Sequence, residues 1–477
     1  MLETLWSNLE LFAFAIAFVL AITVLVVSLL QNLLYFGLLG VSVASMVTRP
    51  PIRRTRSLWE QSADNTPGIS LLVPAFNEAE TVIDSVRSLL ALHYPAYEVI
   101  VVNDGSSDST MADLKAAFDL VETTNDPLSD MPHTDLKAVY VARHEPKLKV
   151  IDKDNGGKAD ALNAALNHAT MPLICTVDAD SLLESDSLLR AVQPYIDDPQ
   201  RTIAVGGTVR IANGCTVNQG RVRDVRTPRN FLALLQTVEY LRAFMMARLA
   251  FGRVGALTIV SGAFGIFRTD LVREVKGYSR ETVGEDLELV IKLHRLMRDR
   301  GQEYDIAFVP EPVCWTQVPE SLGVLARQRI RWQRGAVETL AMHGDMLVKS
   351  RYGRVAAIGM GSMLLVDVVG PIVELLGYII MPVFWVLGLI NWPLFVAYLM
   401  MVFCFGVFVS VGALLLEELE LRRFPKMREL CLLGGIAILE NFGYRQLHNF
   451  WRMRGLWQFI CGNKSWGEMP RQAFRTV

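Results

Sequence analysis

Two carboxylates flank one small residue in Asp178-Ala179-Asp180, directly after the apolar run 173–177. Carboxylates set side by side at the end of a strand suit a hard divalent ion such as Mg²⁺ or Mn²⁺, which favours carboxylate and phosphate oxygens. Such an ion neutralises the charge that develops on a departing diphosphate. Read structurally, the same residues form a turn and a helix cap. A second acid, Asp104, ends the apolar run 98–103 and is followed by Gly105-Ser106-Ser107. Its carboxylate can accept hydrogen bonds from a base or a ribose, or it can close an Asx turn. Lys158 follows Asn155-Gly156-Gly157 at a helix start, where backbone N–H groups and an ammonium suit a diphosphate. The spacing is not that of a P-loop. Gly284-Glu285-Asp286 opens another helix. Acids there complement the helix dipole, and Asp286 could equally accept the proton of an attacking hydroxyl. Finally, 327–334 reads Arg-Gln-Arg-Ile-Arg-Trp-Gln-Arg. It suits a basic amphipathic helix on an anionic membrane face. It also puts Gln328, Arg331 and Trp332 on one helical face, where a ring can stack on a sugar and a guanidinium can pair with phosphate.

These residues need elements to position them. Short apolar runs at 69–73, 98–103, 137–141, 173–177 and 202–205 read as strands, with amphipathic helices between them, as at 81–92 and 158–168. Strand–helix alternation predicts a parallel, doubly wound α/β domain over about 68–315, with ligands at the carboxyl ends of its strands. The polar, acidic segment 121–134 reads as a surface insertion without a motif.

The rest of the chain is apolar. Of 477 residues, 51% are hydrophobic and the net charge is −2, which points to membrane segments and away from nucleic acid. Residues 11–47 read as one long or kinked helix, interrupted only at Gln31-Asn32. Arg49, Arg53, Arg54 and Arg56 follow and should face the cytoplasm. Two further spans are expected near 358–386, interrupted by Pro371, Glu374 and Pro382, and near 392–415. The acidic-then-basic stretch 417–428 is expected in the cytoplasm, and 430–439 is too short to span. The six scattered cysteines read as reduced thiols, several of them buried in apolar runs.

Taken in order, these motifs resemble those of the processive family 2 glycosyltransferases, which include cellulose, hyaluronan, chitin and poly-β-1,6-N-acetylglucosamine synthases. The resemblance covers about 69–335 and the flanking membrane layout. It implies a Rossmann-like GT-A domain over 49–320, between a membrane segment (1–48) and interfacial helices (321–354), with a C-terminal membrane region and tail (355–477). It implies a UDP-sugar donor and Mg²⁺ or Mn²⁺. By the same resemblance Pro74, Ala75, Asn77, Glu78 and Asp104 would hold the uridine and Lys158 the diphosphate. Asp180, with Asp178, would hold the metal. Glu285 and Asp286 match the acidic motif with the catalytic base, where Gly284 stands in place of the usual Thr. Gln328, Arg331 and Trp332 match the QxxRW motif, Trp332 beneath the acceptor. Trp315, Ser261 and Gly262 would line the acceptor site. The implied reaction is inverting transfer onto a growing polysaccharide at the bacterial inner membrane, with N-acetylglucosamine favoured over glucose and an accessory membrane subunit or homo-oligomer completing the path. Rival expectations are transfer of a single sugar to a lipid carrier and a non-catalytic scaffold.

Overall fold

The computed structural model describes residues 2–48, 66–124, 126–218, 221–421 and 427–462. Arg49, Arg53, Arg54 and Arg56, and part of the expected cytoplasmic stretch 417–428, lie outside them.

Among the described residues there are twelve strands: β1 (Ile69–Ala75), β2 (Tyr97–Asp104), β3 (Leu120–Thr123), β4 (Leu136–Ala142), β5 (Leu148–Lys153), β6 (Leu173–Thr176), β7 (Ser181–Leu183), β8 (Thr202–Ile211), β9 (Thr216–Asn218), β10 (Arg221–Asp224), β11 (Gly265–Arg268) and β12 (Asp305–Thr316). Ten of them form one sheet in the order β3-β4-β5-β2-β1-β6-β11-β8-β12-β7, and β9 and β10 form a separate ribbon. The expected parallel pairing holds through β5-β2-β1-β6 and between β8 and β12. The sheet as a whole is mixed. β11 runs antiparallel to both neighbours, and antiparallel pairs occupy both edges.

The central strands are near-continuous Val, Ile and Leu because helices cover both faces of the sheet. All ten residues of β8 are buried. Register does the positioning. Ala75 pairs with Asn103 and Leu72 with Thr176, so the carboxyl ends of β1, β2 and β6 lie at one edge. The segment expected as an insertion is partly structural. It contributes the edge strand β3, and Asn167 Oδ1 accepts the Met131 N–H at 2.7 Å.

Among the described residues three helices are long and apolar enough to cross a membrane: Phe14–Thr48, Val355–Val386 and Trp392–Glu418. The first belongs to one continuous helix, Leu2–Thr48. Its polar break has a partner. Gln31 Nε2 donates to the Leu365 carbonyl at 3.1 Å, in a π-helical turn (Leu364–Val369) whose wider winding disturbs the ordinary backbone ladder. Ser42 Oγ donates to the Met246 carbonyl at 2.7 Å, joining the same helix to the sheet domain. Glu417, near the end of the third apolar helix, is buried against Arg210 of β8. Two helices follow, Met427–Leu439 and Tyr444–Ile460. The second, which no sequence pattern suggested, packs along Leu322–His343 at a glycine: a Cβ on Gly455 would come 2.8 Å from the Ile330 carbonyl oxygen. Cys175, Cys215 and Cys314 are buried, whereas Cys404, Cys431 and Cys461 are exposed thiols.

Candidate active site

Asp104 ends β2, and its carboxylate is committed to the protein itself. Oδ1 accepts the Gly156 N–H at 3.0 Å, Oδ2 accepts the Gly157 N–H at 2.8 Å, and Lys153 Nζ sits 2.5 Å from Oδ1. Gly105 permits this closeness: its φ is +67°, and a Cβ there would stand 2.6 Å from the Asn155 nitrogen. Lys153 is fully buried and also contacts Asp160 Oδ1 at 2.7 Å and the Asp154 carbonyl at 2.7 Å. Asp160 in turn pairs with Arg280 at 3.0 Å. Asp104 therefore moulds the loop that launches the Lys158–His168 helix. Removing the ammonium leaves buried carboxylates uncompensated, which costs about 3–5 kcal/mol. Lys153→Met should lower the unfolding free energy by about that much, read from denaturant titration. A loss under about 1 kcal/mol would dismiss the network as a stabilising element.

The remaining donor-side residues stand beside this loop. Asn77 adopts φ +54° and accepts the Ser107 N–H at 2.8 Å through its side chain, which locks the β1 and β2 exit loops together. Glu78 is buried and accepts the Thr81 hydroxyl at 2.8 Å.

Lys158 joins the two halves of the site. Its Nζ lies 2.6 Å from Asp178 Oδ1 and 3.7 Å from Glu285 Oε1. Burial pulls the ammonium's pKa down, but the charges of Asp178, Glu285 and Asp286 outweigh it and hold the pKa above its ordinary value. Glu285 is pushed up to about 7, first by burial and then by neighbouring Asp286, against the lowering pull of Lys158. Asp286 is fixed from two sides. Its Oδ2 accepts the Gly262 N–H at 3.0 Å and its Oδ1 the Leu287 N–H at 2.8 Å. Glycine at 262 leaves room for both groups, since a Cβ there would lie 2.8 Å from Lys158 Nζ and 3.2 Å from Asp286 Oδ2 and would push on them.

The loop before Asp286 meets the Leu322–His343 helix backbone to backbone. A Cβ on Gly284 would lie 3.0 Å from the Gly335 Cα, and one on Gly335 would lie 2.8 Å from the Gly284 Cα. Gly284 is thus required by the helix it touches. That helix turns Gln328, Arg331 and Trp332 towards the cleft. Trp332 is 43% exposed, and the Arg329 guanidinium sits 4.2 Å from its ring centre, which steadies the indole. The basic stripe is not laid out for lipid alone. Arg329 and Arg334 are both buried, paired with Glu239 at 2.9 Å and Glu338 at 3.3 Å.

A single cleft of about 1400 Å³ is lined by every candidate residue except Trp315. Trp315 is buried, donates its indole N–H to Glu184 Oε1 at 3.1 Å and lies against Arg210. Alternation along β12 explains the difference: Thr316 faces the cleft and its neighbour Trp315 faces away.

The sequence offered no sign of Arg248. It ends a π-helical turn, Arg242–Arg248, that reaches the cleft wall. Its guanidinium lies 3.9 Å from the Phe244 ring centre, and burial lowers its pKa to about 10 against the pull of Asp286. Among the described residues its Nη1 has no hydrogen-bond partner.

Asp178 and Asp180 fit a divalent cation as a minimal set. Asp180 is 5% exposed, so its carboxylate sits at the floor of the cleft. Among the described residues no group of three or more His, Cys, Asp or Glu could enclose an ion. Mg²⁺ and Mn²⁺ sites built on one or two carboxylates complete their coordination with substrate phosphates, which suits this pair.

Residues 70–275 match the family described as Glycosyl transferase family 2, and residues 173–409 match Glycosyl transferase family group 2. A poly-β-1,6-N-acetyl-D-glucosamine synthase of Staphylococcus epidermidis is 29% identical over 287 residues, 60% of this chain and 58% of that protein. One of Staphylococcus aureus is 29% identical over 280 residues, 58% of this chain and 57% of that protein. The chain thus spans under two thirds of the length of these relatives. A solved mannosyltransferase from Pyrobaculum calidifontis, in complex with GDP-Man and Mn²⁺, superimposes with a TM-score of 0.55 at 18% identity, over 94% of this chain and 99% of that one. That likeness concerns the fold, and the α/β GT-A architecture expected from the sequence is the one present.

Proposed function

Because the chain carries a family 2 glycosyltransferase domain, we propose that it is a membrane-bound inverting hexosyltransferase that builds a β-linked polysaccharide from a UDP-sugar. The observation that carries this reading is Lys158, which contacts Asp178 on the leaving-group side and Glu285 on the base side. Donor and acceptor chemistry thus share one point in one cleft.

In this mechanism the donor lies along Asn77, the loop that Asp104 moulds and Lys158, its diphosphate over Asp178 and Asp180. A divalent ion held by those aspartates supplies charge neutralisation to the departing UDP. Asp286 takes the proton of the acceptor hydroxyl, whose oxygen bonds to the anomeric carbon as the bond to the diphosphate oxygen breaks. A single in-line displacement turns an α-linked donor into a β-linked product. Asp286 needs no net movement for this, because Gly262 and Leu287 already orient its carboxylate. Trp332 offers a ring for the acceptor sugar, with Ser261 and Gly262 beside it.

N-acetylglucosamine is the favoured sugar, since the matched synthases of both staphylococci are named for that polymer. Extrusion through a bacterial inner membrane is the accompanying reading. It is supported by the three apolar helices and by a second cavity of about 160 Å³ lined by polar groups, among them Gln31, Asn32, Tyr35 and Glu440. Glu239, His448 and Arg452 line both cavities. A partner subunit or a second copy would complete the path.

The test is UDP release by the purified protein across a panel of UDP-sugars with Mg²⁺ or Mn²⁺. We expect UDP-N-acetylglucosamine to give the highest rate and a product of many residues. A higher rate with UDP-glucose would reassign the sugar. Addition of one residue only, to a lipid carrier, would overturn polymer synthesis. No release with any donor would favour a scaffold.

A further inference from the structure

The loop that launches Asp286 is held by a residue outside all the recognised motifs. Glu338 lies on the Leu322–His343 helix, six positions beyond Trp332. Its Oε2 accepts the Thr282 hydroxyl at 2.9 Å and the Val283 N–H at 2.9 Å. Thr282 Oγ1 in turn accepts the Gly284 N–H at 3.0 Å. The other oxygen of Glu338 lies 3.3 Å from Arg334 Nε, and Arg334 is 2% exposed, so the carboxylate is braced from behind. One residue further along the loop, Gly284 abuts Gly335 at backbone contact. Asp286 follows two residues later and receives the Gly262 N–H. Three consecutive loop residues are therefore fastened to the helix that bears Gln328, Arg331 and Trp332.

We infer that Glu338 is a positioning residue for sugar transfer: by clamping Thr282 and Val283 to the Trp332-bearing helix, it fixes Asp286 at bonding distance from the acceptor hydroxyl. The inference rests on Asp286 as the base. The donor side has its own supports, the Asp104–Lys153 network, the Asn77 contacts and the 2.6 Å Lys158–Asp178 pair, so loosening the Glu338 clamp acts first on the base. Displacements near 1 Å at a reacting centre cost up to roughly 100-fold in rate.

The experiment compares purified full-length Glu338→Ala, Glu338→Gln and Thr282→Val with wild type, reading kcat and donor KM by UDP release alongside thermal melting. Glu338→Ala and Thr282→Val should lose kcat by about tenfold or more, with donor KM within about twofold. Glu338→Gln should recover part of the rate, since its amide oxygen can still accept both bonds although its NH2 no longer pairs with Arg334. Wild-type kcat in Glu338→Ala and Thr282→Val would overturn the inference. So would a parallel loss of kcat, donor affinity and melting temperature, which would mark a merely structural role. Asp286→Asn is run beside them. If it keeps its rate, the base assignment itself falls and the inference with it. If it loses its rate while the clamp variants keep theirs, the inference alone falls.

Discussion

Asp286→Asn is expected to cut UDP release in the presence of acceptor by about 10²–10⁴-fold, the usual worth of a positioned general base, with donor affinity within about twofold. The substitution is nearly isosteric, so the loop should keep its shape. The asparagine oxygen can still accept the Gly262 N–H or the Leu287 N–H, the two bonds that orient the side chain now. What it loses is the capacity to take a proton. Glu285 is no substitute. Its carboxylate is held against Lys158, 3.7 Å from the ammonium, instead. A rate within threefold or so of wild type would remove Asp286 from the reaction, because no base effect is that small.

Asp180→Asn should be comparably severe for a different reason. Asp180 is buried at the cleft floor, while Asp178 already shares its charge with Lys158. Neutralising Asp180 removes the carboxylate best placed to hold a divalent ion beneath the diphosphate. Metal stabilisation of a leaving group is worth several kcal/mol, so a loss of roughly 10³-fold is expected. The two variants separate by their response to chelation. In Asp286→Asn, divalent ion should still tighten UDP binding, measured calorimetrically. In Asp180→Asn that dependence should disappear, and a chelator should lower its residual rate no further. A residual rate in Asp180→Asn that a chelator still abolishes would place the ion elsewhere.

The parts of the fold legible in the sequence are those that bury a continuous apolar run. β1, β2 and β6 read as strands because both faces are covered, and Lys158–His168 read as a helix from its glycine start. β12 was not legible: Pro310 and Pro312 interrupt its pattern, and the irregular register opposite β8 absorbs them. The mixed sheet was hidden too, since a four-residue strand such as β11 carries no sign of its direction. In the site, types and order of residues were visible, but what each carboxylate touches was not. Asp104 turned out to be saturated by Lys153 and two glycine amides, and Lys153 lies five residues before Lys158 in the chain, outside any motif. Arg248 escaped because a π-helical turn shifts the helical period on which any facing argument rests. Trp315 was displaced by strand alternation, one residue from a cleft-lining threonine.

Gly284 and Gly335 carry an evolutionary corollary. Each occupies the space a Cβ would need on the other, so neither position can drift independently. A lineage that places threonine at 284 must first lift the helix at 335, and with it the indole about eight-tenths of a helix turn away along the same rod. The spacing between base and sugar platform is therefore inherited as a matched pair of hydrogens. Sequences that depart from glycine at one site should compensate at the other, a covariation that reports the depth of the acceptor groove.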